Sequence, residues 1–423
     1  MTKRRIRRAV TALKTRVTVT DIFDGTDKLC AERYGFKTAG GKTFSHLAVS
    51  TRCPIPGMVN TGYAMGLPAI GGGLLMTRFG QSYKWNYEDD RCVGLGNVNN
   101  VKPFVVECSV DGENAYTLFG GSKLGLLKKD SQSFMAIAYK LYCGTFHYGR
   151  VFARDYNDPY LIRWSAYGTT DWSLGPDKGG HVRLNTLGGE VVGMVSYGKK
   201  LLIIRKNAVC VMHAFGDARG FSIEQSEAHA VPDVTPFTSV ICGGQLWFYT
   251  EEGLYCFNGS SLSRKPLPDY IRGYEITFAM SVGGRYIYFN MSKGDLPCFL
   301  EYDVREDSFT RFAEGGYLIS EMKDKMHCFY DDYVVELAPD VGNDGYFWKS
   351  VSIDLGTGKC KTVKRLIAEG EGNLTFEIDC DGRTHSVNGF GSTVVGERAE
   401  SFTFTVRGVG SLKRLTAEWE VNV

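Results

Sequence analysis

Residues 191–204 read VVGMVSYGKKLLII, and residues 278–290 read FAMSVGGRYIYFN. Each is an apolar run, a short turn built on Gly, Lys or Arg, and a second apolar run. Glycine enters left-handed backbone at little cost, so SYGKK and VGGR predict tight hairpin turns. The flanking runs are too short for helices and rich in Val, Ile, Tyr and Phe, which fit a pleated, half-buried surface. Both segments therefore predict antiparallel hairpins.

The same unit recurs in both directions. Apolar bursts are centred near Met76 (LLMTRF), Tyr116 (NAYTLF), Val151 (GRVFAR), Leu201 (KKLLIIR), Leu246 (GGQLWFYT), Tyr286 (GRYIYFN) and Met326 (DKMHCFY). Successive spacings are 40, 35, 50, 45, 40 and 40 residues. Five bursts follow a turn of Gly or Lys type: DGEN, SYGKK, CGGQ, VGGR and MKDK. A hairpin repeated every ~40 residues is the signature of a β-propeller blade, because one small sheet cannot bury both faces and must stack on its neighbours. The expectation is an all-β chain with a propeller of six or seven blades over residues 70–342. Leu201, Leu246 and Tyr286 are expected at equivalent positions, packed between blades.

The flanks read differently. GNLTFEIDCDGR (372–383), SFTFTVRG (401–408) and LTAEWEV (415–421) alternate apolar and polar residues, the mark of strands with one face buried and one wet. They predict a C-terminal antiparallel β-sandwich over 343–423, with strands at 17–23 and 44–50 as candidates to complete it. Residues 21–69 are expected to hold N-terminal strands and a loop joining the body. Residues 1–20 form a basic arm: Lys3, Arg4, Arg5, Arg7, Arg8, Lys14 and Arg16 precede the first acid at Asp21. Ile6, Val10 and Leu13 fall on one stripe of a short helix within 5–15.

Lys and Arg total 49, Asp and Glu 47, for a net charge of +2. Taking the seven arm residues from the 49 leaves 42 cations against 47 acids, a net of −5 on the body. This excludes a globally basic nucleic-acid binder. The longest uncharged run, Cys53–Thr77, is broken by three prolines and six glycines, which argues against a membrane-spanning helix. No apolar stretch of secretory type follows the basic start. The twelve Cys show no CxxC or CxC spacing and several sit singly in strand-like runs, so reduced thiols acting as small core hydrophobes are expected.

Catalytic and metal signatures are lacking. His46, His147, His181, His213, His229, His327 and His385 show no pairing at i, i+2 or i, i+4, and none joins a Cys at zinc spacing. Asp155 and Asp158 lack the acid ladder of a calcium loop. There is no GxSxG elbow, P-loop or SxxK. GLGNVN (94–99) has no strand–helix context, and Glu251 and Glu252 read as solvated turn charges. SAYGTTDW (165–172) has Tyr where a sialidase-type turn needs Asp. No catalytic residue, metal site or cofactor is expected.

The richest segment is RVFARDYNDPYLIRWSAYGTTDWS (150–173): a strand, a turn at Asp158-Pro159, a second strand, and a loop closing on DWS. Trp164 and Trp172 are placed to cap adjoining blades. Its pattern, an N/D-P turn followed by an apolar-x-W-S strand and a G-x-x-x-W-S loop, resembles the propeller of tail proteins of short-tailed bacteriophages. GGEVVGMVSYGKKLLIIRKNAVCVMHAFGDARGFSIEQS (188–226) and GGQLWFYTEEGLYCFNGSSLSRKP (243–266) are similar to the blades that follow. These are the tail hub, nozzle or packaged-DNA stabilisation proteins. The resemblance implies a structural virion protein, not an enzyme, assembled in the host cytoplasm. It implies a homo-oligomeric ring, most simply a hexamer, below the portal and adaptor. That ring would conduct double-stranded DNA without sequence-specific contact and have tail fibres or spikes as further neighbours. The alternatives are a tail-borne propeller that binds a receptor or spike, and a propeller glycosidase. The scattered phases of Trp85, Trp164, Trp172 and Trp247 count against a sugar-binding aromatic repeated in every blade.

Overall fold

In the computed structural model the chain is described from Thr15 to Asn422, apart from residues 27, 40–41, 46–47, 55–60, 68–71, 78–80, 98–104, 111–113, 120–123, 129–134, 138, 176, 295, 313–316, 323–324, 331–332 and 339–346. It is all-β among these residues, with two single-turn 3-10 segments at Ala218–Gly220 and Asp269–Ile271. Among the described residues no helix is long and apolar enough to cross a membrane. The chain divides into two compact units, 48–339 and 1–47 with 340–423.

The larger unit is a β-propeller of four-stranded antiparallel sheets. In sequence order the sheets occupy 61–97 (blade 1), 105–137 (blade 2), 141–183 (blade 3), 191–230 (blade 4), 240–265 (blade 5) and 275–312 (blade 6). Blade 7 takes three strands from 317–338 and its fourth from Ala48–Pro54, which pairs with Tyr333–Ala338. The first strand of each blade lies beside the first strand of the next, and that of blade 7 lies beside that of blade 1. Trp85 of blade 1, fully buried, packs on His327 of blade 7 with ring centroids 5.1 Å apart, and Tyr87 adds a second ring at 5.3 Å. The ring of blades is thus closed by a strand from the start of the unit paired to its end. The propeller therefore begins at Ala48, earlier than the expected residue 70.

All seven sequence anchors fall on second strands. Two-residue turns join the first and second strands of blades 3, 4 and 5, between the closing pairs His147/Arg150, Tyr197/Lys200 and Cys242/Gln245. In blades 3 to 6 the second strand is buried on both faces. Val151 packs toward blade 2, Leu201 toward blade 3 and Leu246 toward blade 4, while Phe152, Leu202 and Trp247 pack the opposite way. Fully burying such a side chain contributes ~1.5–3 kcal/mol, so these double-sided strands carry the inter-blade cohesion. Tyr286 departs from the expectation. The blade 6 turn holds three residues, Gly283 to Arg285, and closes on Val282/Tyr286, so Ile287 is the equivalent of Leu201 and Leu246. Tyr286 itself is half-buried and one residue out of phase.

The smaller unit is organised by two long strands, Lys361–Cys380 and Phe402–Asn422, paired antiparallel throughout. At one end they are flanked by Gly391–Ala399 and Thr15–Phe23; at the other by Arg383–Asn388 and Phe347–Ser350, beyond which lies Cys30–Tyr34. A straight 21-residue strand would span about 70 Å at ~3.3 Å per residue. Yet Phe402 and Phe404 meet Trp419 of the same strand edge-on, with centroids 5.0 and 5.9 Å from its own. The strands fold over, and their two halves face each other across one core as the two layers of a sandwich. Gly370, Gly372, Gly408 and Gly410 sit at the fold. A Cβ on Gly370 would lie 2.1 Å from the Ser411 carbonyl oxygen, and one on Gly408 2.3 Å from that of Asn373.

The N-terminal residues divide between the units. Thr15–Phe23 and Lys42–Ser45 pair with Phe402–Asn422, whereas Ala48–Pro54 belongs to the propeller. The expected strand at 44–50 is therefore two strands in two units, and residues 15–20 of the basic arm are sheet. The helical stripe of Ile6, Val10 and Leu13 lies outside the described residues.

Candidate functional site

Lys3, Arg4, Arg5, Arg7, Arg8 and Lys14 lie outside the described residues. Arg16 is exposed on the strand Thr15–Phe23, opposite Val421. Trp164 and Trp172 are both buried on blade 3, one in the core shared with blade 4 and the other in that shared with blade 2. A Cβ on Gly180 would lie 2.5 Å from the Trp164 ring, so the indole fits only against bare backbone. Leu201 and Leu246 are fully buried.

Buried charge in the propeller locks loops in place. Arg150 donates to the carbonyls of Ser165 and Lys178 at 2.9 and 3.1 Å, tying the first turn of blade 3 to the loop between its third and fourth strands. Arg154 donates to the Val191 carbonyl at 2.7 Å, pairs with Glu190 at 3.3 Å and lies 4.1 Å over the Tyr142 ring, joining blade 3 to blade 4. Arg205 donates to the Gly189 and Asn185 carbonyls at 2.9 and 2.6 Å. In blade 6 Arg285 makes a forked pair with the buried Asp303, which also accepts the Arg305 and Glu306 amides. A guanidinium fixed at several donors holds its partners in one geometry.

One surface carries a different arrangement. The first turn of blade 3, His147-Tyr148-Gly149-Arg150, places Tyr148 at φ +42° and Gly149 at φ +78°. The corresponding positions in blades 4, 5 and 6 are Gly198, Gly243 and Gly283, at φ +55°, +59° and +55°. A tyrosine in left-handed backbone is strained by about 1–3 kcal/mol. The residue is 40% exposed, and its ring meets that of Phe215, 59% exposed, edge-on at 4.6 Å. Tyr167, 67% exposed, lies over Gly149, where a Cβ would come within 2.4 Å of the ring. The loop is pinned there by the Gly168 amide, which donates to the Gly149 carbonyl at 2.7 Å.

Charge surrounds these rings. Lys199, on the first turn of blade 4, places its ammonium 6.0 Å from the Phe215 centroid, and Arg150 lies 5.9 Å from that of Tyr167. Burial pushes the Arg150 guanidinium down from its ordinary value, opposed by Asp217 and Asp177. Asp217 is paired with Arg219, which holds its carboxyl below the usual range. Beneath the turn, His147 shares a 2.8 Å hydrogen bond with the Ser196 hydroxyl, and burial pushes its imidazole down, so it is neutral at pH 7. Sequence reasoning missed this patch because its three rings come from separate turns. The signal was present in the Tyr of HYGR standing where YGKK, CGGQ and VGGR carry Gly.

Among the described residues no group of three or more His, Cys, Asp or Glu converges to hold a metal ion. His327, 3.4 Å from Glu336, is part of the blade 7–blade 1 core. Cys143, Cys210, Cys242, Cys256, Cys298, Cys360 and Cys380 form no disulfide. Burial raises the Cys143 thiol to about 12 and those of Cys256 and Cys298 to about 11.

No protein-family model matches the chain, and no curated protein does. Solved structures similar to it include U3-55K, at 10% identity and a TM-score of 0.46, covering 68% of this chain and 98% of that one. The WD40 repeats of RRP9 give 10% and 0.46, covering 69% and 97%. The β-propeller domain of Myceliophteria thermophila Cps50 (Swd1) gives 12% and 0.48, covering 69% and 99%.

Proposed function

We propose that the chain is a non-enzymatic structural protein of the tail of a short-tailed bacteriophage. In this reading copies of the chain form a ring, most simply a hexamer, below the portal and adaptor, and extend the channel through which double-stranded DNA leaves. The observation that carries it is the coincidence of resemblance and rigidity. The segments similar to tail hub and nozzle proteins, 150–173, 188–226 and 243–266, are those built as blades 3, 4 and 5, and blades 3 and 4 are locked by Arg150, Arg154 and Arg205 onto backbone carbonyls. Such a body keeps its shape when loaded. The net −5 of the chain beyond residue 16 suits a conduit, since like charge repels DNA phosphates and lets the duplex slide. The seven cations of residues 1–16 suit docking to an acidic neighbour, a portal or adaptor subunit, by electrostatic steering.

Co-sedimentation tests the reading. The full chain mixed with purified portal–adaptor complex is expected to co-sediment at a fixed ring stoichiometry, and a chain lacking residues 1–14 is expected to stay in the supernatant. Failure of the full chain to join the complex overturns the conduit reading. Joining by the truncated chain at normal occupancy overturns the docking role of the arm.

A further inference from the structure

One layer of the smaller unit has two free edges. From edge to edge it runs Gly391–Ala399, residues 361–368, residues 415–422 and Thr15–Phe23. Among the described residues neither outer strand pairs beyond this layer. We propose that these edges are the contact between copies of this chain. Thr15–Phe23 of one copy pairs antiparallel with Gly391–Ala399 of the next, so the layer runs on from copy to copy. This deepens the ring reading above and takes from it that copies associate around an axis.

The first observation is where the apolar side chains lie. Free sheet edges are ordinarily protected by charge, proline or cover. Here the order is reversed. Val17, Val19 and Val394, 67%, 59% and 72% exposed, are the most exposed large hydrophobics among the described residues of this unit, and all three lie on the edge strands. The charges lie between them and are spent on each other: Lys364 pairs with Glu420, and Arg365 with Glu418 at 3.9 Å. The second observation is alignment. Val19 stands opposite Glu418, Glu418 opposite Arg365, and Arg365 opposite Val394. Val19 and Val394 therefore end one row on one face. A rotation about an axis along the strands keeps both strand direction and outer face, and sets Val19 of one copy against Val394 of the next. β-branched residues so placed pack well across strands.

The third observation is charge. Arg16 is exposed and makes no ion pair among the described residues. With Val19 opposite Val394, counting three residues along each strand puts Arg16 opposite Glu397 on the same face. Gly391–Ala399 carries one extra residue between Val394 and Glu397, where Gly396 is left-handed at φ +79°. That bulge moves Glu397 at most to the diagonal position, which a guanidinium still reaches. Glu397 is partly exposed, with His385 at 3.4 Å on its own sheet. Arg398 lies on the opposite face from Arg16, and Asp21 is bound to Arg414, so no like charges meet. Two Thr15–Phe23 strands joined about a two-fold axis would cover Val17 and Val19 but leave Val394 in water. A strand from an unrelated protein would cover one edge only. The head-to-tail contact covers all three valines, and such a contact repeats until it closes.

The test is disulfide trapping in the full chain. Val19→Cys and Val394→Cys chains are mixed, mildly oxidised, and read by non-reducing electrophoresis and peptide mass spectrometry. This is done with the free chain at high micromolar concentration and with the chain on the portal–adaptor complex. The parent chain controls for its native thiols. The expected result is a bridge between positions 19 and 394 from the mixture and from neither variant alone. Arg16→Glu and Glu397→Arg are each expected to lower its yield severalfold, and the two together to restore it. Both valines are exposed, so the variants should fold, which an unchanged thermal midpoint checks. No such bridge in either setting, covalent dimers of the Val19→Cys chain alone, or a double reversal that restores nothing each overturns the proposal. A chain that joins the complex at ring stoichiometry without the bridge loses this contact and keeps the conduit reading. A chain that forms the bridge when free but never joins the complex keeps this contact and loses the conduit.

Discussion

Tyr148 shows how one side chain can work against its own turn. The backbone at φ +42° suits Asn or Gly, and the equivalent turns of blades 4, 5 and 6 use Gly. Tyr148→Asn removes an exposed aromatic while relieving this strain. Chemical denaturation should therefore show stability unchanged or raised, by up to about 1 kcal/mol, and a loss greater than that would refute the strain. Gly180 is the opposite case. It is small because Trp164 occupies the space its Cβ would take. Gly180→Val should cost about 1–3 kcal/mol by overpacking, and a variant as stable as the parent would show that the indole can move aside. Gly180 could not be singled out in the sequence, where it is one of 51 glycines, and Tyr148, one of 23 tyrosines, stands out only when its turn is set against the glycine turns of the other blades. Each is defined by what lies across from it in space.

At the scale of the element, the second strands were legible and their phase was only partly so. A Gly- or Lys-rich turn followed by an apolar burst marks such a strand wherever it occurs, because a doubly buried strand reads as a continuous apolar run. A run of that kind has no alternation to fix which residue faces which neighbour. The one extra residue of the Gly283–Arg285 turn therefore moved the equivalent position from Tyr286 to Ile287. Leu201→Ala, Leu246→Ala and Ile287→Ala should each cost about 2–5 kcal/mol, and Tyr286→Ala nearer 1 kcal/mol; the reverse order in urea unfolding would restore the original register. The long strands of the smaller unit read as separate short ones because alternation breaks at Gly370–Gly372 and Gly408–Gly410, where they fold over. The strand Thr15–Phe23 is held on Phe402–Asn422 by Asp21, which accepts two hydrogen bonds from Arg414 and one from Thr416, all at 2.9 Å. Arg414 above all holds the Asp21 carboxyl below its ordinary 3.8, against the opposing effect of burial and with Thr416 adding to the lowering. A group whose folded pKa is depressed stabilises the fold above its unfolded value and loses that contribution as pH falls through the folded one. Hydrogen exchange in residues 15–23 should thus rise below pH 4, relative to the rest of the sheet, and Arg414→Ala should abolish the difference. The contribution is modest because both side chains are partly exposed.

At the scale of the whole molecule, closure was the least legible feature. Thr51 pairs with Val335, and no local pattern links positions so far apart. A propeller needs such a contact, since an open end would leave a buried-type sheet face and its apolar side chains in water. Blade number, left between six and seven by periodicity, follows from counting Ala48–Pro54 as the outer strand of the last sheet. The functional reading stands at the same scale, because a conduit is a property of the assembled ring and not of any residue. Single-particle cryo-electron microscopy of the full chain bound to the portal–adaptor complex tests both at once. The account predicts a ring of copies around an open channel, each showing seven four-stranded sheets with residues 48–54 on the outside of the last. Single copies scattered on the complex, or a particle with no density for the chain around the portal axis, would contradict it.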